Sequence, residues 1–486
     1  MFPTYPPTDA QSVFRLFSKT DGQLMHEGTP NARLDTIVSP SHYSALLLLS
    51  IVCVLVLSVT DYLHNMGTQW GPGWDFKAVC DGSYTWRRGG NPYNASDRDF
   101  NNHPFTYLPF WLPISRSLCK GLGVSDIKTT VIYYPAYLAL FLGTLMLATI
   151  RNGFSRFDRL LFATICVTGL GGFLWVARGG NFALFEAIFF LLALSYLVQF
   201  GTQPDKFRMY MFSVLFGLFM AIKSATIAYI VVLALVPASR RDRLGMALVA
   251  GAVAIAPLLI SYAFYPGLIT QYYLAVTSQI GGNVDPNLCN PSFYCFFRDA
   301  LEQSRLPLGP GARRFVSLTA AVLLVIVSAA IALGVTSWRG SFSRSANVFG
   351  NRPWFHFKGT AVDAFLLAFI FLQLLNPRFK EYTYVLTAIA FAYLIVRLPA
   401  AEKVKLMLAL YLAVPVLVGH ATKRGDGGIA NYYVQLFIAF SAFLIILCWY
   451  CSASEAAGEK DADHPPTLPA RASGGTRPVR PDAGGA

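Results

Sequence analysis

The sequence predicts an all-α, polytopic membrane protein: a helix bundle of about twelve apolar segments with a long loop after the first. Three observations predict it. Hydrophobic residues make up 54% of the 486 positions and charged residues only 13%, about half the share in a soluble domain. The mean hydropathy is +0.46. Apolar runs recur along the chain near the length of about 20 residues that carries a helix across roughly 30 Å of hydrocarbon. This composition excludes a soluble enzyme, a disordered scaffold and a disulfide-dense secreted module. The net charge of +13 fits basic cytoplasmic loops. No basic run is interleaved with stacking aromatics, so no nucleic-acid partner is expected.

Residues 1–41 are polar and lack an apolar run ahead of a small-residue cleavage site, so they read as a cytoplasmic N-terminal segment, not a signal peptide. The first span covers about 42–60. Later apolar stretches lie near 131–150, 160–177, 182–200, 209–222, 224–237, 244–264, 315–337, 359–376, 382–397, 405–420 and 431–450. Those at 209–222 and 224–237 are short for straight crossings and predict a broken hairpin with Lys223 at its tip. Residues 42–450 thus form the membrane domain. Residues 451–486, rich in Ala, Pro, Gly and charge, predict a disordered cytoplasmic tail. One set of short loops carries Arg151, Arg156, Arg159, Arg208, Arg240, Arg241, Arg243, Arg397, Lys403 and Lys405 among others. The opposite set carries only Arg178, Lys223, Arg378, Lys380, Lys423 and Arg424. The richer side is expected to be cytoplasmic. Both termini then lie inside, and two long loops, 61–130 and 265–314, lie outside. No tandem or inverted repeat is visible, which weighs against a transporter.

Cysteines follow this map. Cys80, Cys119, Cys289 and Cys295 fall in the two outer loops, where an oxidising compartment permits disulfides. Cys289 with Cys295 and Cys80 with Cys119 are the pairings considered, against free buried thiols. No Cys/His set has zinc spacing.

The first loop is long and aromatic. Asp75 opens a short helix predicted over 76–88, with Gly89-Gly90 as its stop, and two readings of Asp75 stand. It caps that helix, or it serves as a general base held near a reacting hydroxyl. Asp61, Asp81, Asp97 and Asp99 compete for that second role. The stretch Phe105–Pro113 is aromatic and Pro-broken, as an interfacial segment would be. Arg178, Lys223, Arg378 and Lys380 sit inside or beside spans, where cations are functional candidates, here as counterions for a phosphate. Against this, Lys223 has a possible carboxylate partner in Glu186, and Arg378 and Lys380 suit an interfacial snorkelling pair. Glu381 and Tyr382 follow that pair. His103 and His420 are candidates for proton transfer, or ordinary packed or solvated residues. In the second loop, Asn283 and Asn290, with Tyr272 and Tyr273, offer the amides and rings that sugars need, or ordinary turns.

The run WDFKAVCDGSYTWRRGGNPY, followed by FTYLP, resembles the first loop of C-type (GT-C) glycosyltransferases. Within them it is most similar to glycosyltransferase family 87, the polyprenol-phosphate-dependent mannosyltransferases. Asp75, Phe76, Gly90, Pro92, Tyr93, Phe105, Tyr107 and Pro109 match that pattern, and Leu108 stands where the family has proline. Gly180-Asn181 resembles the family's Gly-Asn element, and Lys223 its intramembrane lysine, with Ser224 in place of proline. The resemblance implies a GT-C-like bundle whose first outer loop holds short juxtamembrane helices, and Asp75 as catalytic base. It also implies a polyprenyl-phosphate sugar as donor and inversion at the anomeric carbon. Mannose is the sugar expected, then arabinofuranose. Lys223, Arg378, Lys380 and Arg178 are the expected phosphate ligands. Tyr93, Tyr107, Asn181, Asn283 and Asn290 are the expected sugar or acceptor contacts, with His103 a second catalytic candidate. The partners expected are the bilayer, the donor lipid and a glycolipid or glycan acceptor, with no cofactor or metal. The rival readings are a transporter or flippase of a lipid-linked or anionic solute, and an envelope polysaccharide polymerase or ligase.

Overall fold

A computed structural model describes residues 40–64, 73–97, 105–121, 128–199, 205–281, 291–304, 306–342, 357, 359–377, 381–422 and 433–452. The chain divides at Leu46 into two units. In residues 1–46 only the opening turns of one helix are described; residues 47–486 hold the elements that follow. Every regular element among the described residues is helical. In chain order they are α1 (Pro40–His64), α2 (Trp74–Arg87), α3 (Trp111–Gly121), α4 (Lys128–Arg151), α5 (Arg156–Thr168), α6 (Gly172–Gly179), α7 (Ala183–Val198) and α8 (Lys206–Ile222). Then come α9 (Arg240–Phe264), α10 (Pro266–Gly281), α11 (Phe293–Gln303), α12 (Pro310–Phe342), α13 (Ala361–Leu375), α14 (Tyr384–Arg397), α15 (Glu402–Thr422) and α16 (Val434–Ser452).

Among the described residues, four stretches are long and apolar enough to cross a membrane: Arg156–Gly179, Arg240–Phe264, Pro310–Leu333 and Val434–Cys451. Shorter apolar helices accompany them, α7, α13 and α14 among these. On α9 and α12, large apolar side chains such as Leu259, Phe264, Phe315 and Ile331 stand exposed, far more apolar surface than water tolerates but what lipid requires. On α14, by contrast, every residue from Tyr384 to Ile395 is fully buried. The α6–α14 crossing shows why small residues matter there: a Cβ added at Gly172 would stand 2.2 Å from the backbone nitrogen of Val385.

The expected single span over 160–177 is broken. Leu170 (φ 55°) and Gly171 (φ 66°) turn left-handed and separate α5 from α6. Hydropathy is blind to such a break, because both halves are equally apolar. Lys223 does interrupt the expected hairpin: it is extended (φ −129°, ψ 126°) between α8 and a 3₁₀ helix over Ser224–Leu235.

Two ends of the bundle differ in chemistry. Where α4, α7 and α14 finish and α5, α8 and α15 begin, cations gather. Arg151 lies 3.7 Å over the Tyr196 ring, Arg208 reaches the Gln199 carbonyl and Lys405 pairs with Asp158 at 3.5 Å. Ser155, Ser239 and Thr360 cap the helices that start there, each accepting from the backbone N–H of an aspartate three residues on, which satisfies donors the helix leaves open. At the other end, α7 and α14 begin and α8 finishes, and the first loop folds over them.

That loop has its own core. Phe76, Val79, Cys80, Tyr93, Phe105, Tyr107, Leu108, Leu112 and Cys119 pack together and onto Phe182, Ile222, Ile269 and Tyr272. A disulfide joins Cys80 on α2 to Cys119 on α3. Cys295 is also disulfide-bonded; Cys289 lies outside the described residues. Ser261 of α9 ties the loop down: its Oγ accepts from the Phe110 N–H at 3.0 Å and donates to the Pro257 carbonyl at 2.6 Å.

Candidate active site

The site starts with where α2 begins. Gly73 adopts a left-handed conformation (φ 79°) and its N–H donates to the Arg178 carbonyl at 2.7 Å, stitching the loop to the end of α6. The helix therefore starts at Trp74, and Gly73 is its cap residue. This corrects the capping reading of Asp75, which lies within the first turn. Its carboxylate is thereby released to act outside the helix. The other end follows expectation. Gly89 is left-handed (φ 84°), its N–H donates to the Trp86 carbonyl and the Gly90 N–H to the Thr85 carbonyl, the Schellman pattern of a glycine stop.

Asp75 is half-buried. Its Oδ2 accepts from Asn181 Nδ2 at 2.7 Å. Asn181 sits in the turn between α6 and α7, which left-handed Gly180 (φ 64°) makes possible. Its Oδ1 accepts from the Ala183 N–H at 2.8 Å and from Lys223 Nζ at 3.5 Å. Lys223 also pairs with Glu186 at 3.0 Å and lies 4.3 Å over the Tyr382 ring. The structure thus brings together Asp75, Asn181 with Glu186, and Lys223, from three segments far apart in sequence.

Trp74, the neighbour of Asp75 on α2, meets Trp175 edge-to-face at 6.5 Å, with the Arg178 guanidinium 5.8 Å from each ring. Gly179 closes one side of the carboxylate; a Cβ there would lie 3.2 Å from Asp75 Oδ2. Tyr137 of α4 packs on Phe76 at 6.3 Å and donates to the Gly180 carbonyl at 3.5 Å. Tyr107 lies within the field of Asp75. Burial first, and then that carboxylate, push its hydroxyl well above the usual phenol range, so it stays neutral.

Two of the aromatic candidates for sugar contact, Tyr93 and Tyr107, lie in the loop's own core. Tyr93 is not at an open cleft: it is 6% exposed, donates its hydroxyl to the Tyr107 carbonyl at 2.8 Å and packs edge-on to Phe105 and Tyr272. Its ring is part of the loop's own core. Tyr107 is equally buried, against Phe182. Of the other expected residues, His103, Arg378, Lys380, Asn283 and Asn290 lie outside the described residues, as does Asp99. The sequence reading missed Trp175 and Gly179. Trp175 stands three residues before Arg178 on α6, a spacing that shares one helix face and was available as a signal.

Neither a family model nor a curated protein matches the sequence. Among solved structures, the crystal structure of ArnT from Cupriavidus metallidurans bound to undecaprenyl phosphate is similar at 12% identity, with 84% of this chain and 77% of that chain covered and a TM-score of 0.39. At that score the likeness carries no argument about activity.

Proposed function

We propose that this chain is a membrane glycosyltransferase that moves a sugar from a polyprenyl-phosphate donor to a hydroxyl acceptor, with Asp75 as general base. The observation that carries the reading is Asp75 itself. One carboxylate oxygen is held by Asn181; the other has no hydrogen-bond partner among the described residues. A general base must lie within hydrogen-bond reach of the proton it takes, and that second oxygen is available to an acceptor. The acceptor oxygen attacks the anomeric carbon as its proton passes to Asp75. The bond from that carbon to the phosphate oxygen breaks with inversion, and the lipid phosphate leaves with the electron pair. Arg178 offers a fork of donors to the growing phosphate charge, and Arg378 and Lys380 are the further cations we assign to it. The indole faces of Trp74 and Trp175 suit the apolar faces of a pyranose or furanose ring.

Mannose is the sugar favoured by the first-loop resemblance, with a glycolipid or cell-envelope glycan as acceptor. The basic end of the bundle supports a cytoplasmic assignment for that end and hence an extracytoplasmic site, with both termini inside a plasma membrane. The test is turnover by the purified full chain in detergent, with polyprenyl-phosphate mannose or arabinofuranose and glycolipid acceptors, reading released polyprenyl phosphate. Asp75→Asn should lower turnover by about 10²-fold or more while the protein stays monodisperse. Near-normal turnover in that variant refutes the base. Solute uptake into proteoliposomes without sugar transfer marks a transporter instead.

A further inference from the structure

We infer that Asn181 is a positioning residue for Asp75, and that the Lys223–Glu186 pair serves to hold the Asn181 amide in the one orientation that donates to it. The role in turnover rests on the glycosyl-transfer reading; the coupling between these side chains does not. An asparagine amide offers an acceptor at one end and donors at the other, and its two orientations differ by a half-turn. Here two donor-only groups, the Ala183 N–H at 2.8 Å and Lys223 Nζ at 3.5 Å, face the Oδ1 end. The Nδ2 end is thereby turned to Asp75 at 2.7 Å. The reverse orientation sets a carbonyl against a carboxylate and an amide against an ammonium, so it is disfavoured at both ends.

Asn181 is 4% exposed and Glu186 1% exposed, while the Lys223 side chain is 22% exposed and Asp75 half-buried, so the two inner members of the arrangement are shielded from solvent. Lys223 is engaged by Glu186 at 3.0 Å, by Asn181 and by the Tyr382 ring. Its charge is therefore used in holding the site, and its assignment moves from phosphate ligand to support. The same contacts move Asn181 from sugar ligand to support: its oxygen is occupied twice and its nitrogen faces the base. Gly179 bears on the same oxygen, because a Cβ there would stand 3.2 Å from Asp75 Oδ2 and press on it. A base aimed from one oxygen presents the other in a fixed place, and orientation of this kind is a large part of catalytic rate.

The test has two arms on the full chain in detergent. The first needs no turnover: a melting cycle of Asp75→Ala, Asn181→Ala and the double variant, since an asparagine at 75 would keep an oxygen that accepts from Asn181. The pair are coupled if the double variant melts well above the sum of the single losses. Additive losses overturn the proposal whatever the protein's activity. The second arm reads polyprenyl phosphate released from polyprenyl-phosphate mannose. Asn181→Ala is expected to lower kcat about 10²-fold with donor KM unchanged within about twofold. Lys223→Met is expected to lower kcat about tenfold alone and no further in the Asn181→Ala background, with recovery in Lys223→Arg. A raised KM with unchanged kcat in Asn181→Ala would make it a sugar ligand, and the same result in Lys223→Met would make it a phosphate ligand; either overturns the proposal. Coupled melting in a protein that turns over no sugar donor upholds the positioning and discards the glycosyl-transfer reading.

Discussion

Breaking the Cys80–Cys119 bridge should loosen the first loop before the bundle. The bond encloses 39 residues of sequence separation, and the chain-entropy relation for a closed loop of that length gives about 4 kcal/mol at 25 °C. The flanking helices α1 and α4 already restrict the loop in the unfolded state, so the expected loss is about 2–4 kcal/mol. Both cysteines are buried, at 2% and 0% exposure, so alanine is the better replacement; a serine would bury a hydroxyl without a partner. Cys80 lies five residues after Asp75 on α2, so opening the bridge frees the helix that bears the base. The assay compares Cys80→Ala/Cys119→Ala with the oxidised protein by melting in detergent, limited proteolysis between α1 and α4, and polyprenyl-phosphate release. Treatment with a phosphine reductant is less clean, because Cys295 is also in a disulfide. Lower melting, faster cleavage within the loop and reduced turnover are expected together. Unchanged melting and cleavage would show that the loop's packed core alone holds it, and the entropy argument would fail.

Further substitutions probe packing and pairing. Gly172→Ala should prevent stable folding, seen as loss of the monodisperse peak, because its Cβ would stand 2.2 Å from the Val385 nitrogen; Gly143→Ala, with nothing within 4 Å, should be neutral. Tyr93→Phe should cost about 1–3 kcal/mol by leaving the buried Tyr107 carbonyl unsatisfied, with donor KM unchanged; a raised KM would return Tyr93 to the sugar site. Arg397→Ala should cost about 3 kcal/mol by stranding Asp363, whose side chain is 4% exposed and 2.8 Å from the Arg397 guanidinium. An Arg397→Met/Asp363→Asn variant, which removes both charges but keeps an oxygen for the Thr360 N–H from which Asp363 accepts at 2.8 Å, should recover part of that melting temperature, and a failure to recover would show that the cost is not that of an unpaired charge.

Much of the helical layout was legible because hydropathy is a local property. Each apolar block carries its own length and its own turn signals. Ser155, Ser239 and Thr360 cap helices within three residues of themselves, and Gly89 ends α2 where the sequence places the stop. The break at Gly169–Gly171 was hidden, since a left-handed Leu170 leaves no trace in hydropathy. The aromatic motif around Pro92, Tyr93, Phe105 and Tyr107 was visible as a pattern. Its use as the core of the first loop was not, because a ring that packs and a ring that binds a sugar look alike in sequence.

By itself the sequence determined that the chain is helical, apolar enough for lipid, basic at alternating loops, and marked at Asp75, Asn181 and Lys223. Only the tertiary structure decided what those marks do to one another. Asp75 is freed from capping because Gly73 bonds to the Arg178 carbonyl, and it is met by Asn181 from 106 residues away. Lys223 is drawn to Glu186 because a cation at the end of a packed helix needs a counter-charge, and α7 supplies it there. Periodicity and propensity reach only a few residues along the chain; hydrogen bonds and ion pairs such as these depend on which helix ends the packing brings within about 3 Å.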